Sequence, residues 1–256
     1  MPHLDLTEKH KIRIVGLAAQ MVLENGGETY RVEETALRMA SGLGLEDVNV
    51  VAFPTSIFVN VGGHSRIRRI TRRGTNTSRL AGINSVSRRV ERGELDAAQA
   101  EAALEAIAQD TGFSQPMLIA AYGISAASFS LLFGGGLGAF IVSLLLGMLV
   151  QAIQPLFART SMGTLLFNFC GGFLTALLSQ WAAALTPFAD VNAAIIGGIM
   201  PMLTGLLMTT AVRDTMYGDL ISGIARAVEA LLLAGCVALG VFVGLKIAVM
   251  TGGLVL

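Results

Sequence analysis

Long uncharged stretches in the second half of this chain are the feature that most restricts its fold. No Asp, Glu, Lys or Arg occurs in residues 111–158, 160–189, 191–212 and 230–245. By contrast, 14 of the 18 basic and 14 of the 18 acidic residues precede residue 113. Membrane segments exclude charge in this way because a charged side chain costs about 2.5–3.5 kcal/mol at the bilayer centre. The sequence therefore predicts a polar amino-terminal domain, residues 1–112, followed by a membrane domain, residues 113–256.

The membrane domain is predicted to contain five transmembrane helices. A helix needs roughly 20 apolar residues to cross the hydrocarbon core. Five stretches approach or exceed that length, 117–133, 137–154, 164–185, 193–211 and 227–250. Pro155 is expected to end the second span and Thr186-Pro187 the third, because proline does not continue a helix easily.

The short loops predict the orientation of these spans. Arg159, Arg213 and Arg226 lie in loops that share one side of the membrane, whereas Asp190 lies on the other side. Basic residues favour the cytoplasmic side. We therefore expect the amino terminus in the cytoplasm and the carboxyl terminus outside.

The amino-terminal domain shows a mixture of helical and strand patterns. Apolar residues recur at helical spacing in segments 6–25, 28–43, 78–92 and 96–110. Segments 48–53, 56–61 and 66–72 are predicted to be strands, with a turn at Pro54-Thr55. Asp96 and Gln99 have the spacing of a capping box. The predicted fold class is a small α+β cytosolic domain followed by an α-helical bundle of five transmembrane helices.

Span four contains a proline where a continuous helix is otherwise expected. Pro201 lies between Gly197-Gly198 and Thr204-Gly205. A proline removes one backbone hydrogen bond, and broken helices recur at polar sites at membrane depth. Two interpretations stay open here, a simple packing kink and a break that forms part of a solute path.

The most polar stretch of the membrane half joins spans four and five. Its charged residues are Arg213, Asp214, Asp219, Arg226 and Glu229. Arg226 and Glu229 are three residues apart, so they share a helix face and can pair. The other three charged residues of this stretch can converge with Arg226 where spans four and five meet. One interpretation is a solvated cytosolic loop with ordinary ion pairs. The other is a polar mouth that binds an anionic or zwitterionic solute, since arginine suits carboxylates.

Catalytic, metal and nucleic-acid functions find little support in the sequence. Cys170 and Cys236 lie in separate apolar spans and the three histidines lack ligand-like spacing, so no metal and no cofactor is predicted. Glu33 and Glu34 are adjacent on a predicted helix and point in different directions, which does not make a catalytic pair. We therefore do not expect an enzyme.

Six arginines lie between residues 66 and 79. The first interpretation of this run is a solvated face or a positive-inside signal; contact with anionic lipid, or attraction of anionic metabolites, is the second. Nucleic acid is not an expected partner, because acidic residues are equally numerous in this half and no aromatic residues alternate with the arginines.

Two groups of short motifs occur in a characteristic order. The first group is Leu23-Glu24-Asn25-Gly26-Gly27-Glu28, Arg31-Val32-Glu33-Glu34-Thr35 and Pro54-Thr55-Ser56. The second group is Met200-Pro201, Thr204-Gly205, Arg213-Asp214 and the run from Gly218 to Arg226. With these motifs the chain resembles the bacterial threonine/serine exporter family from about residue 10 to 250. Glu28, Arg31, Glu33, Glu34, Pro54 and Thr55 are the amino-terminal residues that the resemblance singles out.

The resemblance implies a secondary exporter in the bacterial inner membrane. Full-length family members carry a second set of spans, which this sequence does not include. The chain is similar in layout to the YjjP-type large subunit of split exporters, which works with a small multi-span membrane subunit of YjjB type. Single-chain members export threonine and serine, and the split pair is implicated in succinate export. The implied function is export of small carboxylate-bearing metabolites, with the path completed by such a subunit or by a second copy.

A second class of function stays open on the residues alone. The chain would then be a membrane-anchored cytosolic enzyme or regulatory domain whose spans dock it to a partner. In that case Asp214→Asn and Arg226→Gln would be tolerated, and residues 1–112 would act or bind ligand alone. A passive anchor has no need of a proline break at Pro201, which favours the transporter.

Overall fold

The computed structural model of the chain describes residues 6–71, 73–110, 112–157, 162–185 and 190–251. These residues are mostly helical and include one small three-stranded sheet. The chain divides into two compact units. The first unit combines Met1–Gly112 with Met208–Ala227, and the second combines Phe113–Leu207 with Val228–Leu256.

The amino-terminal part of the first unit contains four helices and three strands. In chain order these are α1 (Leu6–Glu24), α2 (Thr29–Gly42), β1 (Val48–Phe53), β2 (Ser56–Val61), β3 (His64–Arg69), α3 (Thr77–Glu91) and α4 (Ala97–Gln109). Asp96 and Gln99 form the predicted capping box at the start of α4. The helices pack because each buries its apolar face, with Ile14, Met39, Ile83 and Leu104 all fully buried.

The sheet is an antiparallel meander in the order β1-β2-β3. Alternate residues point inward, so Val50, Ala52, Ile57 and Val59 join the core. The third strand begins at His64, two residues before the predicted segment 66–72, and it ends at Arg69. Gly62 and Gly63 both have positive φ and form a tight turn, which allows pairing to resume at once.

Two arginines of the run between residues 66 and 79 bind groups of the amino-terminal domain itself. Arg68 packs on Gly16 and donates to Oε1 of Gln20 at 2.6 Å. Arg79 donates to the backbone oxygens of Ala108 and Asp110, which lie at the end of α4. These two side chains therefore have a structural role, in contrast to the predicted solvated face.

The membrane half contains α5 (Gln115–Leu132), α6 (Leu137–Phe157), α7 (Gly163–Leu185), α8 (Val191–Ile199), a 3-10 turn (Met200–Met202), α9 (Gly205–Met216) and α10 (Leu220–Met250). The prediction that Pro155 ends the second span is wrong, because α6 continues to Phe157. A proline in the last turn disturbs only one carbonyl, four residues earlier, so the helix tolerates it there. Arg159 and Thr186-Pro187 lie outside the described residues.

Four of these helices, α5, α6, α7 and α10, are long and apolar enough to cross a membrane. The segments Val191–Met202 and Gly205–Met216 are bent by 51° at their junction and make a fifth span if counted together. In each of the four long helices, only 22–39 % of the most apolar 18-residue segment is buried within the chain. The remaining apolar surface is of the kind that lipid or another membrane subunit covers.

Glycines bring the membrane helices into backbone contact. A Cβ added at Gly172 of α7 would lie 2.5 Å from the carbonyl oxygen of Val237 in α10. One added at Gly240 of α10 would overlap the carbonyl oxygen of Phe169. Helices approach this closely only where side chains are absent, so α7 and α10 form a tightly packed pair.

Candidate functional site

The site is built around the start of helix α2 in the first unit. Gly26 has φ +90°, which ends α1 and turns the chain towards α2. Glu28 precedes α2 in extended conformation, but its side chain does not cap the helix. The first backbone N–H groups of a helix have no partner within the helix, so the start of α2 needs an acceptor from elsewhere.

Asp214 of α9 supplies that acceptor. Its Oδ1 accepts hydrogen bonds from the backbone N–H of Thr29 at 3.1 Å and from the Thr29 hydroxyl at 2.9 Å. Both residues are completely buried. A carboxylate at a helix amino terminus is further stabilised by the helix dipole. A residue 185 positions away therefore caps α2.

Arg226 of α10 neutralises the buried carboxylate. Its Nε lies 2.9 Å from Oδ2 of Asp214, an ion-pair distance, although the two groups are not aligned as a hydrogen bond. Its Nη2 donates to the backbone oxygen of Gly27 at 2.8 Å. Arg226 is 3 % exposed. A buried charge of this kind persists because it is paired and hydrogen-bonded.

Two further contacts surround this pair. Glu28, which is also buried, accepts a hydrogen bond at 2.8 Å from Nη1 of the half-exposed Arg213. The rings of Tyr30 and Tyr217 stack with centroids 4.0 Å apart. We call Met208–Ala227 the α9–α10 hairpin, and the contacts of Glu28, Thr29 and Gly27 with it the α2 latch.

The hairpin itself is closely packed. A Cβ added at Gly223 of α10 would lie 2.9 Å from the carbonyl oxygen of Ala211 in α9, and it would overlap the hydroxyl of Thr215. The backbones of the two hairpin helices are therefore in close contact at Gly223, and this packing positions Asp214 and Arg226 for their pairing.

The structure brings together only some of the residues predicted at the polar mouth. Arg213, Asp214 and Arg226 converge, and the partner of Arg226 that the structure places at 2.9 Å is Asp214. Asp219 is partly buried, and its backbone N–H donates to the carbonyl oxygen of Asp214. Glu229 is partly buried in the portion of α10 that belongs to the second unit.

Pro201 lies in the 3-10 turn of the second unit, where α8 ends. The α8 helix stops at Ile199, and α9 begins only at Gly205. The chain is therefore broken at the predicted position, and the break spans several residues.

The other amino-terminal motif residues have local roles. Glu33 accepts from the backbone N–H of Ala52 at 2.9 Å, and burial raises the pKa of the Glu33 carboxyl. Glu34 pairs with Arg38 one turn later, and Arg31 lies 3.6 Å from Glu28. Pro54 and Thr55 form the turn between β1 and β2.

The sequence motifs include residues from both sides of the latch, but they do not indicate that these residues are in contact. Gly27 and Glu28 stood in one motif, and Arg213 and Asp214 in another, separated by about 185 residues. Thr29 was missed altogether, because a threonine at the start of a helix suggests only local capping. No pattern in a single sequence indicates that its hydroxyl donates to a distant aspartate.

A second set of polar residues was also missed. Helix α7 contains Asn168, Thr175, Ser179 and Gln180, each at most 3 % exposed, which we call the α7 polar stripe. Within the described part of the chain, the Asn168 amide nitrogen, both hydroxyls and both ends of the Gln180 amide lack a hydrogen-bond partner. Their signal in the sequence is four polar side chains between residues 168 and 180 of a mostly apolar helix.

The arrangement binds protein groups to one another. The Asp214 and Arg226 charges pair with each other and contact α2, so they stabilise a buried junction. Among the described residues, no group of three or more His, Cys, Asp and Glu could hold a metal ion.

Four helices of membrane-spanning length and one bent helix pair, together with a small α+β portion, indicate a multi-pass membrane protein, and the family match places it in the transporter class. The family model described as "Putative threonine/serine exporter" matches residues 13–248. The chain belongs to this threonine/serine exporter family, which is a family of transporters and not of enzymes. The resemblance seen in the sequence motifs is confirmed.

Two groups of relatives differ in length. The chain is 23 % identical over 261 residues to the "Threonine/serine exporter" of Corynebacterium glutamicum. The aligned region covers 96 % of this chain and 53 % of that protein. The chain is 25 % identical to the "Probable threonine/serine exporter" of Mycobacterium tuberculosis, of which it covers 47 %. The chain thus spans about half the length of these relatives.

The third relative is close to this chain in length. The "Probable succinate transporter subunit YjjP" of Klebsiella aerogenes is 25 % identical over 242 residues, which cover 91 % of this chain and 93 % of that protein. No solved structure matches the chain.

Proposed function

We propose that this chain is the large subunit of a secondary exporter of small carboxylate-bearing metabolites, such as threonine and serine or a succinate-type dicarboxylate. The observation that carries the proposal is the broken span at Pro201 in a chain of the exporter family. Unwound segments inside a membrane bundle expose backbone groups, and transporters commonly use such breaks to form a solute site near the bilayer midplane.

The partner in this proposal is a small multi-span membrane subunit of YjjB type, or a second copy of the chain. The relative that this chain covers almost completely is named a transporter subunit, whereas it covers only half of the relatives named as exporters. In this proposal the partner completes the path. It also covers part of the apolar helix surface that this chain leaves exposed.

We place the amino-terminal domain, residues 1–112, in the cytoplasm and the membrane domain, residues 113–256, in the bacterial inner membrane. The α2 latch supports a defined role for Asp214 and Arg226, because their charges are already paired inside the first unit. They hold the hairpin on the amino-terminal domain. Glu229 and the Pro201 break are the candidates for contact with the solute path.

The test is export of radiolabelled succinate, threonine and serine from cells that express this chain with and without the small subunit. Export should require both chains. Pro201→Ala returns a backbone N–H to the break and favours helix there, so it should lower export at least tenfold. Pro155→Ala is the matched control, because Pro155 lies in the last turn of α6 without ending the helix, and export should stay within twofold.

Absence of flux for all three solutes, from a complex that purifies as a folded assembly, would contradict the exporter. The anchored-domain alternative would then be preferred. Its own test is binding of the same three solutes by the full chain with unchanged affinity in Asp214→Asn and Arg226→Gln.

A further inference from the structure

The α7 polar stripe has an ordered geometry along the membrane helix. Asn168, Thr175 and Ser179 are separated by seven and four residues, so they share one helix face, and Gln180 follows in the same turn. At a rise of about 1.5 Å per residue, the stripe extends roughly 18 Å. That length exceeds half of the hydrocarbon core of a bilayer, which is about 30 Å thick.

Three serines of the membrane helices satisfy their hydrogen bonds within the chain, whereas the isolated buried hydroxyls of Tyr122 in α5 and Ser222 in α10 lack a partner among the described residues. Ser128 and Ser130 of α5 donate to carbonyl oxygens of their own helix at 2.8 Å. Ser143 of α6 donates to the carbonyl oxygen of Ala194 in α8 at 3.2 Å. A buried serine can therefore be satisfied by a carbonyl oxygen in this bundle, and α7 differs because several unsatisfied groups lie along the same helix.

Buried polar groups without partners are rare because they lose their hydration without compensation. The loss is larger in a bilayer, where water is absent. Several such groups on one face of one helix are not explained by packing, since an apolar residue of equal shape would pack without this loss. They indicate a ligand or water that occupies the face in another state of the protein.

The middle of the stripe lies against the broken span within the second unit. The methyl carbon of Thr175 packs so closely on α8 that a Cβ added at Gly198 would lie 2.5 Å from it. Met202, from the 3-10 turn, lies on Gly171, between the levels of Asn168 and Thr175. Met202 is 4 % exposed, so its flexible side chain fills the space beside the stripe.

We propose that the α7 polar stripe is a solute-contacting surface of the transport path, covered here by the broken span. Movement of the 3-10 turn uncovers the stripe. Its uncharged amide and hydroxyl groups then bind the hydroxyl, amino and carboxylate groups of a small metabolite through hydrogen bonds. The inference rests on the proposed exporter function and assigns a binding surface to it.

Cysteine labelling tests this assignment. Thr175→Cys and Ser179→Cys are introduced separately into the full chain in which Cys170 and Cys236 are changed to alanine, and the complex with the small subunit is used in membranes. A small, charged methanethiosulfonate reagent that does not cross lipid is the probe. We expect both positions to react at least tenfold faster than two matched serine controls.

The controls separate burial and lipid exposure from access by water. Ser130→Cys replaces a buried serine whose hydroxyl has a partner, and Ser128→Cys replaces an exposed serine on the same helix. The reaction at Thr175→Cys and Ser179→Cys should also slow at least threefold with millimolar threonine, serine or succinate. Rates equal to those of Ser130→Cys, or no protection by any of the three solutes, would overturn the proposal.

Failure of this inference is distinguishable from failure of the exporter function. Flux through the complex with an unlabelled stripe would overturn the inference and leave the exporter intact. A labelled and protected stripe in a complex without flux would support the binding surface and contradict the exporter.

Discussion

The α2 latch and the α7 polar stripe are both buried and polar, but they treat their hydrogen-bonding groups in opposite ways. In the latch, Asp214 accepts two hydrogen bonds from Thr29 and pairs with Arg226. In the stripe, the polar groups of Thr175, Ser179 and Gln180 have no partner among the described residues. One region carries full charges that are paired, and the other carries neutral groups that are unpaired.

This difference teaches which region is a fixed junction and which is available to a ligand. A buried charge is tolerated only when it is paired, so the latch is stable as it stands. Unused neutral groups cost less to bury than an unpaired charge, so a stripe of them survives without a permanent partner. A transporter needs both kinds of region, because its rigid parts must hold while its path exchanges partners.

The largest expected effect is in the latch. Asp214→Ala should lower the free energy of unfolding by about 3–5 kcal/mol, since it removes the carboxylate that caps α2 and pairs with the buried Arg226. Denaturant unfolding of the purified chain in detergent measures it. Glu94→Ala is the control, because Glu94 lies 2.8 Å from Arg92 in an exposed pair and should cost less than about 1 kcal/mol. Equal losses in the two variants would show that the latch is an ordinary surface contact.

The same substitution made in both regions gives the most direct comparison. Thr29→Val removes a hydroxyl that donates to a carboxylate, and it should cost about 1.5–3 kcal/mol of unfolding free energy. Thr175→Val removes a hydroxyl that has no partner in the described part of the chain, so stability should stay within about 0.5 kcal/mol or rise. A comparable loss at Thr175 would mean that this hydroxyl already has a partner in the folded protein, and the contrast would be lost.

The packing of α7 against α10 is expected to be sensitive to a single methyl group. Gly240→Ala should cost about 1–3 kcal/mol, because the added Cβ overlaps the carbonyl oxygen of Phe169. Gly235→Ala on the same helix meets no atom within 4 Å, and it should gain up to about 1 kcal/mol from helix propensity. Thermal unfolding of both variants in one detergent measures the difference, and a destabilised Gly235→Ala would argue against this packing.

The smallest expected effect is a pH dependence near α2. Burial, and then repulsion from Asp219, raise the pKa of Glu33, while its bond to the Ala52 amide opposes the shift. A raised pKa in the folded state means that stability is present below the ordinary carboxyl pKa and is lost as pH rises through the raised value. Hydrogen exchange at the Ala52 amide, compared between wild type and Glu33→Gln at each pH, should show this loss in wild type alone. Parallel profiles would exclude Glu33 as its source.

Much of the architecture follows from local sequence patterns. The strands β1 and β2 have the predicted bounds, and α1 and α2 begin and end within about one residue of theirs. Apolar periodicity and glycine stops are local signals, so they need no knowledge of the tertiary structure. The end of α6 was mispredicted because the effect of a proline depends on how many turns follow it, which local pattern does not report.

The arrangement of the candidate site follows only in part from the sequence. Arg213, Asp214 and Arg226 meet, as the loop between spans four and five allows, but nothing in the motifs predicts their contacts with Gly27, Glu28 and Thr29. The ion pair of Arg226 with Asp214 depends on the close packing of α9 and α10 at Gly223. Contacts of this kind join distant residues, and a single sequence carries no signal of distance between them.

Sequence by itself determined the class of this protein. Membrane segments are recognisable because they lack charged residues, and the family motifs lie in order along the chain. Tertiary structure alone decided which buried polar groups are paired. Thr29 and Thr175 are both threonines in helices of this chain. The Thr29 hydroxyl donates to a buried carboxylate, whereas the Thr175 hydroxyl has no partner in the described structure. The physical reason is that a hydrogen bond depends on the positions of two atoms, and folding brings the second atom from elsewhere in the chain.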